Sequence, residues 1–487
     1  MSRINTNVSS LIAQNNLART NRDLETSLQR LSTGLQINRG ADNPAGLIVS
    51  ERLRSEIQGA TQAIDNAERA TNVIATTEGA LQEISTLLTQ IKALTIEAAN
   101  TGAFSPEEIE ANQLEIDSAV ESITRISNTT SFAGLKLLNG SLDYLDSGVV
   151  TSQISDINVF GANFGLDDNI NVQVEVINSA EKGTLFLSGN TAGAPGALLS
   201  SVSFELQGSR GVQVFNFASG TALSAVAAAV NNVRDATGVT ARLASATNQT
   251  SGLLFESEGY GTSSFVSVRK LDDGDFFDTF DAQGGSQINR DEGADVLSLV
   301  NGNLALGDGL DITLNTNTIN LGLTLTSGAA QVTGTPYSFT VTGGGANFQI
   351  GPQVNSLQQV GFGIQSVAAS NLGDTASGFL NSISTGGDNS LVAGKTREAS
   401  EIIDKSIDQI AQLRGRLGAF ERNTLQTAVR STAITLENLT ASESSIRDTD
   451  FAQQTAELTR AQILQQAGTS TLGIANSNAQ NVLSLLG

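Results

Sequence analysis

The sequence predicts an α+β multidomain fold. Its core is a long antiparallel coiled coil or helical bundle formed by the N- and C-terminal segments, with a mainly β domain inserted between them. Three observations predict this. In the first block Leu17, Leu24, Leu28, Leu31 and Leu35 recur at heptad-like intervals, followed by Leu53, Ile57, Ala60, Ile64, Ala67 and Ile74. In the last block Ile403, Ile407, Ile410, Leu417, Leu425, Val429, Leu436, Leu439 and Ile446 keep a similar rhythm. A period near 3.5 residues marks a narrow seam for partner helices. The middle is Gly/Thr-rich and alternates as β structure does. The resulting order of helices, β structure and helices is close to palindromic, which suits an insertion between two ends that fold together. Neither end can bury its stripe alone, so the ends must meet each other or copies of themselves.

Residues 4–35 form the first helical stretch, its stripe opening at Ile4, Val8 and Leu11, until Gly34 and Gly40 interrupt it. The next start signal is Asp42 or Asn43 as cap with Pro44 at a position where a missing N–H costs nothing. Helical periodicity then persists to Asn100, about 57 residues or roughly 85 Å. Ser105-Pro106-Glu107-Glu108 is a capping box that opens a helix to about Ser127, with Ile109, Ile116, Val120, Ile123 and Ile126 on its buried side. Asn139-Gly140 marks a turn, and alternation takes over at Val172, Val174 and Val176. Residues 177–340 read as many short strands with one helical insert, Ala222 to Arg234. Strand-like alternation returns at Phe348 to Ile350 and at Val360 to Val367. The last block opens near Thr396, runs to about Leu439, and is followed by a helix from near Asp450 to Leu485. At its end Leu472, Ala475, Ala479, Val482 and Leu486 alternate steps of three and four.

Composition narrows the function classes. The 487 residues carry a net charge of −22, which argues against nucleic acid and anionic membrane surfaces as partners. Residues 141–395 hold 8 Lys/Arg against 23 Asp/Glu, so the middle is the more acidic and solvent-facing part. Cysteine and histidine are both absent. That removes disulfides, thiolate nucleophiles, and the commonest general base and metal ligand. No cofactor and no catalytic or metal site is expected. The N-terminus lacks the basic flank and unbroken apolar core of a Sec signal, and no 18-residue apolar run predicts a membrane span. Asp272, Asp273, Asp275 and Asp278 lack EF-hand spacing and read as a solvated acidic loop. Gly343-Gly344-Gly345, with no Lys in P-loop register, reads as a turn. Asn128 and Asn248-Gln249-Thr250 are weak glycosylation signals.

Several motifs now stand in order. Ile4-Asn5-Thr6-Asn7-Val8, Leu28 to Asn38 (LQRLSTGLQIN) and Ala41-Asp42-Asn43-Pro44-Ala45-Gly46 resemble the N-terminal region of bacterial flagellins. Leu413 to Ala419 (LRGRLGA), Asn438 to Asp450 (NLTASESSIRDTD) and Gln465-Gln466-Ala467-Gly468 are similar to the C-terminal pattern of the same family. The resemblance covers roughly residues 1–140 and 390–487. In the middle, Phe204 to Val268 resembles the IN-type repeat of flagellin outer domains and hook-associated proteins, and Asp295 to Leu325 looks like its continuation.

The resemblance implies a structural subunit of the flagellar filament, not an enzyme. It implies export unfolded through a type III channel, folding under a cap at the filament tip, and an extracellular location. The implied partners are further copies of the chain, the cap protein, the hook–filament junction protein and an export chaperone. A junction protein itself, which shares the terminal helices and IN-type modules, is the alternative identity. Expected limits are an inner coiled-coil segment at 1–42, a helical and hairpin core at 43–176, and a variable outer domain at 177–342, with the IN-type module at about 199–326. The core returns at 343–449, and the second coiled-coil segment is 450–487. Subunit packing is expected at Ile4, Val8, Leu11, Leu28, Leu31, Leu35, Leu472, Val482 and Leu486. Gly418 and Ala419 are expected as close-approach positions. The family also has a segment read by a vertebrate innate immune receptor, with which Leu88 to Ile96 and Glu115 align. Leu94 and Glu115 match, but Gln90 stands where strongly stimulating members carry Arg, so weak recognition is implied. O-linked sugars are known for the family, on residues this sequence does not mark.

Overall fold

A computed structural model describes residues 6–165, 167–188, 196–245, 251–272 and 277–484. Helix α1, Val8–Thr33, begins where the Asn7 side chain accepts the Ser10 N–H at 3.0 Å. It ends at Gly34, whose φ of 73° suits a residue without Cβ and whose N–H returns to the Arg30 carbonyl at 2.8 Å. Helix α2, Pro44–Ala98, settles the choice of cap. Asn43 accepts the Gly46 N–H at 2.9 Å, while Asp42 accepts the Asn38 and Arg39 N–H groups and closes the preceding turn. Helix α3, Pro106–Thr129, carries the expected reciprocal bonds between Ser105 and Glu108. Helix α4 (Leu223–Asn231) occupies the expected helical insert, and a short second helix, α5 (Arg234–Thr237), begins at its expected end and carries on past it.

Helix α6, Thr396–Phe420, passes through a π turn at Glu421–Leu425 into α7, Gln426–Arg447. The expected stop near Leu439 is therefore eight residues short. Leu439 is one of the last stripe residues, but no breaker follows until Asp448 turns extended at ψ 148°. Helix α8 is Phe451–Ser484.

The chain forms two compact units: residues up to 69, 349–354 and from 422 make one, and residues 70–348 and 355–421 make the other. In the second unit α2, α3 and α6 share a core that includes Ile84, Leu88, Ile91, Ile116, Ile123, Ile403 and Ile410, all essentially without solvent exposure. Gln113 is buried with them and fully bonded. Its amide donates to the Ile383 carbonyl at 2.9 Å and to Asp117, and its oxygen accepts the Leu391 N–H at 2.8 Å. A buried amide so paired fixes the loop 383–391 against α3.

An eight-stranded antiparallel sheet follows the helices. Its spatial order is Tyr144–Ser147, Pro336–Gly344, Ile170–Asn178, Leu297–Val300, Asn303–Asp308, Asp311–Asn315, Ile319–Leu325 and Ile154–Ala162. The two end strands are joined by the Tyr144 hydroxyl, which accepts the Ala162 N–H at 2.9 Å. One inward face, including Val172, Val174, Val176, Leu321, Leu323 and Phe339, packs as a single core. The expected limits at 176/177 and 342/343 both fall inside strands of this sheet. Alternation carries no mark of a boundary within a strand, so sequence could not place them.

The IN-type region is built from two four-stranded sheets. One has the order Thr279–Phe280, Thr184–Leu187, Leu253–Ser257, Val239–Leu243. The other runs Arg290–Glu292, Phe265–Lys270, Val202–Gly208, Val212–Phe217. Phe204 sits at the centre with no exposure, its ring 4.6 Å from Phe277 and 5.4 Å from Phe215. Strands within 295–325 do not join these sheets; they belong to the eight-stranded one.

Candidate assembly surface

Helices α1 and α8 lie antiparallel. Asn7 donates to the Ala475 carbonyl at 2.9 Å, Gln465 to Asn21 at 3.0 Å, and Gln454 to Ser27 at 2.9 Å. The links behind them are fastened too. Leu35 bridges Asp448, with Gln36 N–H on the Arg447 carbonyl at 2.7 Å and Thr449 N–H on that of Gly34 at 2.9 Å. Arg447 then reaches Glu51 at 2.8 Å, and that guanidinium holds the Glu51 carboxyl below its ordinary range.

What fills the seam is small and polar. Among the described residues Ser10, Ala13, Ser27, Gln454 and Ala461 are buried in it, with Gly468 against Leu17. On α8 the positions 454, 461, 468 and 475 recur every seven residues, and Leu458, Gln465 and Leu472 alternate with them half-buried or nearly so. Small residues draw two backbones close but remove little apolar area from water.

Other large side chains of the pair point away from the seam. Leu11 is 50% exposed and Ile463 62%, and Val8, Ile12, Leu28, Phe451, Leu464 and Ile474 are exposed as well. Near the start of α2 Ile48 and Val49 are exposed, and on α7 so is Ile434. Val8, Leu11 and Ile12, at i, i+3 and i+4 on one face of α1, are exposed together on a helix that is already paired, and such a face marks a contact with other molecules. Of the nine expected packing positions, Val8, Leu11 and Leu28 lie on this open surface. Leu31, Leu35 and Leu472 are half-buried within the chain. Ile4, Leu486 and the Val482 side chain lie outside the described residues. The sequence reading missed Phe451, Ile463, Leu464 and Ile474, and it missed the Ser/Ala/Gly seam. The seven-residue recurrence of small residues on α8 was the available signal.

Other candidates resolve as follows. A Cβ at Gly418 would have no atom of the chain within 4 Å, so the close approach expected there does not occur within the chain. Gln90 and Glu115 are brought together across α2 and α3 by a 2.6 Å hydrogen bond, and Leu94 shows 9% of its surface. Among the described residues no three His, Cys, Asp or Glu side chains converge as metal ligands do. Asp272 accepts the Ser203 N–H and Asp278 pairs with Lys270, whereas Asp273, Asp275 and Asn248 to Thr250 lie outside the described residues. Among those residues, too, no helix is long and apolar enough to cross a membrane.

Electrostatic displacement is strongest at Asp143 and Arg416. Burial pushes the Asp143 carboxyl up to about 6, opposed by the Tyr144 N–H, with Asp146 adding and Arg416 subtracting. Burial also draws Arg416 down to about 10, and its guanidinium stacks 3.7 Å over the Phe160 ring. In the unfolded chain Asp143 ionises near its ordinary value of about 4. Between about pH 4 and 6 the folded chain therefore binds more of this proton, and its contribution to stability is lost as pH rises through that window. Asp143→Asn should flatten the fall in urea midpoint between pH 4 and 7; an unchanged slope would refute this assignment.

Three family profiles match the chain. Residues 4–143 match the family described as the bacterial flagellin N-terminal helical region, 400–486 the bacterial flagellin C-terminal helical region, and 203–259 the flagellin hook IN motif. A flagellin of Salmonella rubislaw is 29% identical over 99% of both chains. The B-type flagellin of Pseudomonas aeruginosa PAO1 is 32% identical, again over 99% of both. Among solved structures, hook-associated protein-3 of Legionella pneumophila is 13% identical, covering 81% of this chain and 98% of that one, at a TM-score of 0.31.

Proposed function

The chain belongs to the bacterial flagellin family, and from that premise we propose how its own residues build the filament. The function is structural: a subunit that polymerises into the helical flagellar filament of swimming motility. The observation that carries the mechanism is the open apolar surface of a helix pair whose seam is filled by small residues. Leu11, Leu28, Ile463 and Ile474 are left about half or more in solvent by their own chain, and copies cover the rest. A heterologous contact repeated by a rotation and rise that never closes gives a fibre.

In this reading 1–42 and 450–487 form the inner layer of the tube. Residues 43–143 and 345–449 form the next layer, and the eight-stranded sheet with the IN-type region, 144–344, faces solvent, because the sheet pairs straight across 176/177 and 342/343. The subunit is secreted through the flagellar export route with a chaperone, folds beneath the cap protein, and follows the junction protein at the filament base. Its role is structural rather than enzymatic, and the absence of His removes an HExxH zinc site from consideration. Recognition by the innate receptor is weak, because Gln90 is neutral and its amide is spent on Glu115.

The test is growth. Purified chain added to sheared filament fragments should elongate them into tubes visible by electron microscopy. Chain that stays monomeric on its own seeds would overturn the reading.

A further inference from the structure

One feature of the first unit lies outside the helices. The segment 349–354 is held rigidly. The Gln349 amide donates to the carbonyls of Gly351 at 2.7 Å and Gln353 at 2.8 Å, which closes the segment on itself. Pro352 rests on helix α2 at Gly59, where a Cβ would stand 2.9 Å from the Pro352 carbonyl oxygen. A side chain at residue 59 would therefore push the segment away. Held at the end of this clamp, Val354 is 86% exposed.

A large apolar side chain almost wholly in water is ordinary when its loop is loose. Here the backbone is clamped twice, so the ordering that binding demands has already been met by folding. We propose that Val354 is a contact knob that inserts against a second copy of this chain.

Two observations choose that occupant. The segment is part of the same compact unit as α1, α8 and the exposed apolar residues Ile48, Val49 and Ile434, the unit that carries the proposed assembly surface. Charge agrees. From Ile312 through Gly373 there is not one Asp, Glu, Lys or Arg, in a chain whose net charge is −22. Copies of so acidic a chain repel one another, and an uncharged stretch is where they approach at least electrostatic cost.

The inference rests on the filament reading and deepens it. Seeded elongation of the full chain tests it with Val354→Asp, Val354→Ser, Val354→Ile and Gly59→Ala. Leu304→Asp serves as control, since Leu304 is a similarly exposed apolar residue on the eight-stranded sheet. Circular dichroism verifies folding of each. Val354→Asp should slow elongation at least tenfold, Val354→Ser and Gly59→Ala severalfold, while Val354→Ile and Leu304→Asp elongate as the parent does. Val354→Ser is informative even if the charged variant misfolds. Parent-like growth of Val354→Ser, or equal slowing by Leu304→Asp, overturns the knob and leaves the filament reading intact. Failure of the parent to grow on its own seeds overturns both.

Discussion

A chain carrying Leu11→Asp and Ile463→Asp should fold as the parent does and fail to elongate filament seeds. Both side chains point away from the α1–α8 seam, at 50% and 62% exposure, so the seam keeps its Ser10, Ala13, Ser27, Gln454 and Ala461 contacts. The free subunit consequently loses little. On the proposed packing the same positions become buried in the filament. Each aliphatic side chain, already covered to about half, contributes roughly 1–1.5 kcal/mol on burial of the rest. Each replacing carboxylate would have to be buried without a partner, at a cost of several kcal/mol or with its proton retained. Two such changes exceed about 4 kcal/mol per added subunit, which raises the concentration needed for growth about a thousandfold. Light scattering after seeding measures it. Growth within tenfold of the parent would mean that these residues face solvent in the filament, and the open helical surface would lose its role.

That prediction could be half-drawn from sequence. The heptad rhythm of Leu17, Leu24 and Leu31 announced a seam, and Asn43, Ser105 and Gly34 announced helix ends through local chemistry, whereas Asn7, the cap of α1, lay inside the stretch read as helix from Ile4. Local signals of this kind survive in any tertiary context. What sequence could not say was which stripe residues the chain covers itself. Leu28 and Leu31 are three residues apart and equally apolar, yet one is exposed and the other half-buried. The difference depends on where α8 lies, and α8 is placed by Gln454, Ala461 and Gly468, residues that look like spacers. The sheet was similarly half-legible. Val172, Val174 and Val176 announced a strand, but its neighbours come from residues 297–300 and 336–341, and long-range pairing leaves no local trace. Val354 was silent for a related reason: its rigidity comes from Gln349 and from the missing Cβ of Gly59, almost three hundred residues upstream of the segment it supports.

Phe204→Ala should unfold the IN-type region while filaments continue to grow. The ring of Phe204 is unexposed and meets Phe215, Phe217, Phe255 and Phe277, at centroid separations from 4.6 to 6.3 Å. Truncating it removes the transfer free energy of the ring and leaves a cavity that four rigid aromatic neighbours cannot close, about 3–5 kcal/mol together. The core it belongs to is separate from that of the eight-stranded sheet, which holds Val172, Leu321 and Phe339, so the loss should stay local. Differential scanning calorimetry should show one transition moved down by about ten degrees or more, with trypsin cutting within residues 203–292. If the sheet and the IN-type region, 144–344, are displayed on the filament exterior, as proposed, elongation and tube diameter at the inner layers should match the parent, because the proposed assembly surface of Leu11, Leu28, Ile463 and their neighbours lies in the other unit. Loss of elongation in this variant, with the helical content of the free chain preserved, would mean that the IN-type region itself bears on subunit packing, and the proposed layering of the chain would have to be redrawn.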